Sequence, residues 1–342
     1  MRTELTLLLL LPLATGCFSF EERERVRDRR ILALRAEPPE LIADGSPLPA
    51  SVDLSALVVD PSTGTAVEVP YEWRSCSALG IATSAGAAGG GGPGGGPPGG
   101  FGSRAEPDGR CPETDASNLA EAGTLPLDQW FDRAWSLPVP EQAGVAVAGA
   151  AQQGVALPFY LVAQLRLDSA RGLLYAQKRV VVSAPLPAGR KANENPRLAA
   201  LYIDGKPWSP DAPRTLKLHG CATGEKAEAV DPNDEKRTWM TCDHTITPVY
   251  DAAESEGYEV QRFDGGVEKM RERLRFDWYV DGGSLDQSQT EEPSQLSSAK
   301  RDPLSTKWRE PETASGPLTL WVVVRDGRGG TTWARRQLAL EP

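Results

Sequence analysis

Two short segments of the chain could carry metal or redox chemistry: LHGC at residues 218–221 and TCDH at residues 241–244. They hold the only two histidines, His219 and His244, each two residues from a cysteine, Cys221 or Cys242. Two thiolates and two imidazoles are a donor set that tetrahedral zinc favours. If the segments pair antiparallel with Cys221 opposite Cys242, His219 falls opposite His244. Residues i and i+2 of a strand share a face, so all four side chains would then cluster. In an oxidising compartment the same cysteines would instead close a disulfide beside two incidental histidines. The compartment decides between them.

Other candidate chemistry is thin. Carboxylates gather at Asp231, Asp234 and Glu235, and again at Asp281 and Asp286, but without the spaced oxygen donors of a calcium loop. They read as solvated turns. No nucleophile elbow, no His-Glu-x-x-His and no serine with a histidine base is present. A glycosidase-type carboxylate pair has no fixed spacing and leaves a hydrolase as a minor alternative. Trp73, Trp278, Trp321 and Trp333 read as core or hairpin residues before they read as a sugar platform. Residues 86–102 hold eleven glycines among seventeen. They lack the strand, spacing and Lys-Ser/Thr of a phosphate loop and read as a surface loop. No cofactor is expected.

The compartment is written at the N-terminus. Leu5 to Thr15 is a mostly apolar run, too short to span a bilayer, behind Arg2 and ahead of small residues, which is the layout of a secretory signal. It closes on Ala14-Thr15-Gly16-Cys17, which resembles the lipobox of bacterial lipoproteins. That resemblance implies cleavage before Cys17 and acylation of Cys17. Phe18, rather than aspartate, follows it. The family then implies a lipid-anchored protein of the cell envelope, at the outer membrane of a Gram-negative bacterium. Residues 1–16 are thus expected to be the signal peptide. Residues 17–29, with the mixed-charge run EERERVRDRR just inside, read as a lipidated, solvated tether.

An exported chain makes disulfides by default. Besides Cys17 it has Cys76, Cys111, Cys221 and Cys242. We expect Cys76–Cys111 and Cys221–Cys242, one in each of two sequence copies described below, with the Cys2His2 metal set as the alternative.

The elements that must position these residues are strands. Leu274, Phe276, Trp278 and Val280 alternate with polar or aromatic neighbours, as do Leu318, Leu320, Val322 and Val324, with the period of two of a half-buried strand. Asp326-Gly327-Arg328-Gly329-Gly330 supplies a hairpin turn. Alternation weakens over Ser51–Asp60, which fits a strand with a bulge. Gly266–Arg273 is the one stretch with helical spacing, through Val267, Met270 and Leu274. Gln287–Pro311 is polar and reads as a loop.

The pattern occurs twice. Residues 30–36 resemble 197–203, Tyr71-Glu72-Trp73-Arg74 resembles Phe276-Asp277-Trp278-Tyr279, and residues 158–182 resemble 317–340. We expect an all-β chain: two tandem antiparallel β-sandwich domains, at residues 30–185 and 196–342, joined by a linker at residues 186–195. Each copy resembles an immunoglobulin-like or PKD-like module. The whole resembles a group of exported bacterial lipoproteins with this tandem layout. That resemblance implies a fold and a location but no activity.

Bulk composition narrows the partners. With 37 Lys+Arg against 47 Asp+Glu, the formal charge is -10. That argues against nucleic acid, whose binding rests on neutralised phosphates. The expected function is presentation of two sandwich domains for binding or structural spacing, without catalysis. A carbohydrate- or peptide-binding accessory role is the alternative. The expected partners are the membrane, through the lipid, and an envelope protein or polysaccharide.

Overall fold

The computed structural model describes residues 23–61, 67–79, 111, 119–127, 130–131, 134–152, 158–184, 191–217, 243–251, 254–261, 266–293, 304–311 and 316–341. Cys17, His219, Cys221, Cys242, the glycine-rich loop and the carboxylates at 231–235 lie outside them.

In the first half the elements are β1 (Arg30–Glu37), β2 (Glu40–Ile42), β3 (Ser51–Val59), β4 (Val67–Leu79), β5 (Leu119–Leu127), β6 (Trp130–Phe131), β7 (Ala134–Pro138), α1 (Glu141–Gln152), β8 (Phe159–Ser169) and β9 (Gly172–Ser183). In the second half they are β10 (Ala200–Ile203), β11 (Lys206–Pro207), β12 (Arg214–Lys217), β13 (Asp243–Val249), β14 (Gly257–Gln261), β15 (Val267–Arg271), β16 (Arg275–Val280), β17 (Ser284–Leu285), β18 (Gln289–Glu291), β19 (Thr306–Arg309), β20 (Leu318–Arg325) and β21 (Thr331–Glu341). The chain is all-β, with α1 the one helix among the described residues. No described helix is long and apolar enough to cross a membrane.

The sequence repeat has a topological counterpart. One five-stranded sheet runs β2-β9-β8-β4-β5 and another β12-β21-β20-β16-β18. In each, a short strand lies parallel to the last long strand, at Glu40↔Val181 and at Arg214↔Leu338. In each, the aromatic third strand pairs with the strand that leads into the closing hairpin, at Trp73↔Leu165 and at Trp278↔Val322. The facing sheets are β1-β3 with β6 and β7, and β11-β10-β13-β19-β17.

The packing is not that of two beads on a string. One core fills the space between the first five-stranded sheet and β1/β3, from Leu34, Val52, Leu54 and Val58 on one side and Trp73, Leu165 and Val180 on the other. A second core lies between the other pair of sheets, from Ile203, Ile246 and Trp308 against Trp278, Val322 and Leu338. A third apolar layer joins the halves: Leu32, Leu57 and Val59 meet Tyr279, Trp321 and Val323. Four sheets therefore stack face on face, each adjacent pair closing over apolar side chains.

This explains the weak alternation of Ser51–Val59. Val52, Leu54 and Val58 point into the first core, and Leu57 and Val59 into the seam. A strand buried on both faces has no polar face to alternate with. The bulge belongs instead to β1, where the register slips between Ile31 and Ala33.

Three further expectations are corrected. Gly266–Arg273 is not helical: Val267–Arg271 is β15, antiparallel to β14, with Tyr258 opposite Met270 and Glu259 opposite Lys269. One apolar pair three residues apart is too thin a stripe to hold a helix, and Met270 is exposed. Gln287–Pro311 contains two strands, β18 and β19, and Trp308 of β19 is fully buried. The charged tether is not solvated throughout. Val26 is 1% exposed and sits in the seam, where one valine between arginines suffices because the pocket is already built.

Candidate functional site

Polar chemistry gathers where the two halves meet, around the β20–β21 turn. Asp326 follows β20, and its Oδ1 accepts hydrogen bonds from the backbone N–H groups of Arg328 (2.7 Å), Gly329 (2.9 Å) and Gly330 (2.9 Å). A Cβ on Gly330 would lie 1.9 Å from Asp326 Oδ2, so the carboxylate seat requires glycine there. The turn presents Arg328 to both halves. Its guanidinium donates to Glu40 Oε2 at 2.7 Å and to Glu272 Oε1 at 2.8 Å, and stacks over Tyr258 at 4.8 Å. Glu40 also accepts from Ser183 Oγ (2.6 Å) and from the backbone N–H of Asn193 (2.8 Å).

The described part of the expected linker is fixed in the same place. Asn193 Nδ2 donates to Asp326 Oδ2 at 2.9 Å. Asn195 Oδ1 accepts from Thr331 N at 2.8 Å, and its Nδ2 donates to Ala36 O at 2.7 Å. Lys178 of β9 donates to the Gly329 carbonyl and to Thr331 Oγ1.

Burial in this cluster perturbs its charges. Desolvation pulls the Lys178 ammonium down to about 8, against the pull of Asp326. Desolvation, with the Asp326 charge, pushes Glu272 up to about 7, although Arg328 opposes it. Burial also raises Glu256. A perturbed carboxylate is a common mark of catalysis. Here the two strongest contacts of Glu272 are to protein: Arg328 and the backbone N–H of Glu256. Its side chain is 1% exposed, so no reacting atom can approach it. The group holds the fold. Beside it a cleft of about 680 Å³ is lined by Arg35, Glu37, Glu40, Asn193 and Asn195.

Of the zinc-type donor set, His244 alone lies in the described residues. It sits on β13, opposite Trp308 of β19, and stacks on that indole at 5.5 Å. Its Nδ1 is 2.7 Å from Asp204 Oδ2 and its Nε2 2.9 Å from Glu310 Oε1. Burial opposes its charge, but the hydrogen bonds and charges of Asp204 and Glu310 prevail and raise its pKa. Each ring nitrogen faces a carboxylate, an arrangement that imidazolium serves with two donated hydrogen bonds. No group of three or more possible metal donors occurs among the described residues.

Cys76 and Cys111 are disulfide-bonded, with Cα atoms 5.5 Å apart. Both are buried, against Val162 and Tyr160 on the outer side of the first five-stranded sheet. The backbone N–H of Cys111 donates to Gln164 Oε1 at 3.2 Å. Asp281 and Asp286 tie their segments to neighbouring strands: Asp281 Oδ1 accepts from Thr319 N of β20, and Asp286 Oδ1 from Lys307 N of β19. Trp73, Trp278 and Trp321 are buried, and Trp73 stacks on Trp135 at 5.0 Å.

No family model matches the chain, and no curated protein matches it. Among solved structures it is similar to red sea bream transglutaminase (TM-score 0.22, 9% identity, 93% of this chain and 32% of that one). It is also similar to murine CEACAM1b (TM-score 0.20, 7% identity, 92% of this chain and 100% of that one). A third is dimeric latent PorU of Porphyromonas gingivalis (TM-score 0.21, 10% identity, 93% of this chain and 24% of that one). The chain spans about a third of the transglutaminase and a quarter of PorU. Likeness at this level carries no argument about activity.

Proposed function

We propose that this is a lipid-anchored cell-envelope protein whose paired sandwiches, held as one stacked body, serve binding or structural spacing without catalysis. The observation that supports it most is the seam. Leu32, Leu57, Tyr279, Trp321 and Val323 close an apolar layer between the halves. The Arg328–Glu40 pair and the Asn193 and Asn195 contacts bind its edge. These polar groups tie the sheets together across the junction. A body of fixed shape behind a lipobox-like leader suits presentation at a membrane. Acylation at Cys17, in an outer-membrane setting, belongs to the same proposal.

The test is metabolic labelling with a radioactive fatty acid, followed by membrane fractionation of the native protein and Cys17→Ser. The proposal expects label and membrane residence in the first and neither in the second. An unlabelled native protein, or a variant that stays in the membrane, overturns it.

A ligand role has one observation in its favour. The 680 Å³ cleft lies on the seam and is polar, with Arg35, Glu37 and Asn195 among its lining residues. That chemistry suits a peptide or sugar better than an apolar ligand.

A further inference from the structure

The segment just behind Cys17 determines more than attachment. Glu24 to Val26 lies parallel to the end of β16: Val26 N donates to Val280 O at 2.8 Å, and Val280 N donates to Glu24 O at 2.9 Å. Val26 fills the seam beside Tyr279 and Trp321. Two residues further, Asp28 pairs with Arg171 at 2.6 Å. Arg29 pairs with Asp60 at 3.1 Å. The arm thus crosses one end of both halves, touching the Val280 end of β16 and the β8–β9 turn.

Strand registers identify the opposite end. In the first half, Ser169 pairs with Gly172 at the arm end, while Cys76 pairs with Val162 higher on the same sheet. The seven residues from Ser169 back to Val162 cover about 24 Å of strand. Pro138, just before α1, pairs with Ser51, near the end of β1 that is remote from Arg30. In the second half, Glu291 pairs with Arg275, at the end of β16 remote from Val280.

We propose that the arm orients the body on a lipid surface: the end carrying Val280 and the β8–β9 turn faces the bilayer, and the Cys76–Cys111 end faces away. From Cys17 to Glu24 the backbone reaches at most about 25 Å fully extended. A longer free tether would let any face meet the lipid. Docking from Glu24 onward limits that freedom to the short stretch before it. The inference rests on acylation at Cys17.

The test uses mature, lipidated, full-length protein in phosphatidylethanolamine/phosphatidylglycerol vesicles that carry a headgroup-attached quencher. A fluorescent non-canonical residue replaces Ala170, Gln142 or Glu291 in separate samples. All three positions are solvent-exposed, Ala170 in the β8–β9 turn at the arm end and the other two at the remote end. Quenching at position 170 is expected to exceed that at 142 and 291 by at least about threefold. Inserting a flexible Gly-Ser spacer of about twenty residues between Phe20 and Glu21 is expected to erase the contrast while vesicle flotation persists. Equal quenching at the three positions in floating protein overturns the orientation, as does a contrast that survives the spacer. A Cys17→Ser protein that floats as the native one does overturns the anchor itself, a separate result.

Discussion

The two five-stranded sheets are laid out alike, yet their outer faces differ. On the first sheet that face carries Glu72, Arg74, Gln164 and Arg166. Arg74 and Arg166 pair with Glu72, at 3.1 and 3.3 Å. At the matching places on the second sheet stand Asp277, Tyr279, Trp321 and Val323, by the registers Tyr71↔Leu167 and Phe276↔Val324. The acid is kept and is again held by arginines, Arg275 at 3.3 Å and Arg325 at 3.0 Å. Its neighbours have become apolar. The first sheet's outer face buries Arg74 and Gln164 among polar partners, while the second packs on the apolar side chains of β1 and β3, so the outer face of a sandwich records what covers it.

The turns after β8 and β20 teach the same thing. Arg171 and Arg328 occupy similar places in similar sequences. Arg171 is 65% exposed and pairs with Asp28 of the arm, whereas Arg328 is 10% exposed between Glu40 and Glu272. One hairpin ends at the arm and the other is built into the junction.

The face comparison can be broken most severely at Val323. Val323→Arg is expected to cost roughly 3–5 kcal/mol, because it drives a charge into a sealed layer. Arg166→Val, the reverse change on the outward face, is expected to cost under about 1 kcal/mol. Urea unfolding of both variants measures the gap. Comparable losses would mean that the two faces are not differently covered.

Removing the Cys76–Cys111 bond, by Cys76→Ser with Cys111→Ser, is expected to cost about 3–4 kcal/mol from chain entropy over a loop of this size. Thermal melts under non-reducing conditions check it. An unchanged melting temperature would show that the bond leaves the outward face indifferent.

Arg328→Met leaves Glu40 and Glu272 buried without their cation and is expected to cost about 3 kcal/mol. Arg171→Met is expected to cost under about 0.5 kcal/mol. Equal effects of the two substitutions would erase the distinction between the turns.

Smaller effects follow from pH. The Glu272 pKa is raised, so the folded state holds its proton more tightly than the unfolded chain. Its contribution to stability falls as pH rises from the ordinary carboxylate range through about 7. Glu272→Gln, which mimics the protonated form, is expected to gain on the native protein by roughly 2–3 kcal/mol between pH 5 and pH 8. His244 is also raised, so its stabilisation is full below the unfolded histidine pKa and fades as pH climbs through the folded value. His244→Gln is expected to remove that slope. Unfolding titrations across pH would refute either assignment if the slopes were unchanged.

Much of the fold was legible in residues. The repeat, the hairpin at Asp326–Gly330 and the strands through Trp278 and Val322 follow from periodicity. The seam was legible only in part. The near-continuous apolar run Trp321 to Val324 and the broken alternation of Ser51–Val59 are its signals, but periodicity cannot say what covers a second face. The site was less legible. Arg328 and Glu40 are 288 residues apart, and nothing local marks them as partners. Asn193 and Asn195 looked like linker because their hydrogen bonds are made to distant backbone and side chains. Asp204 and Glu310 gain meaning only beside His244, to which the pairing of β13 with β10 and β19 brings them.

The stacking of the halves has its most direct test in hydroxyl-radical footprinting of the intact chain, read residue by residue. Trp278 is fully buried in the second core, while Trp321 and Tyr279, 2% and 8% exposed, are covered from the other side by the first half. The stacked arrangement predicts that Trp321 and Tyr279 oxidise nearly as slowly as Trp278, and more slowly than the partly exposed Trp333. Oxidation of Trp321 and Tyr279 at or above the rate of Trp333 would contradict it.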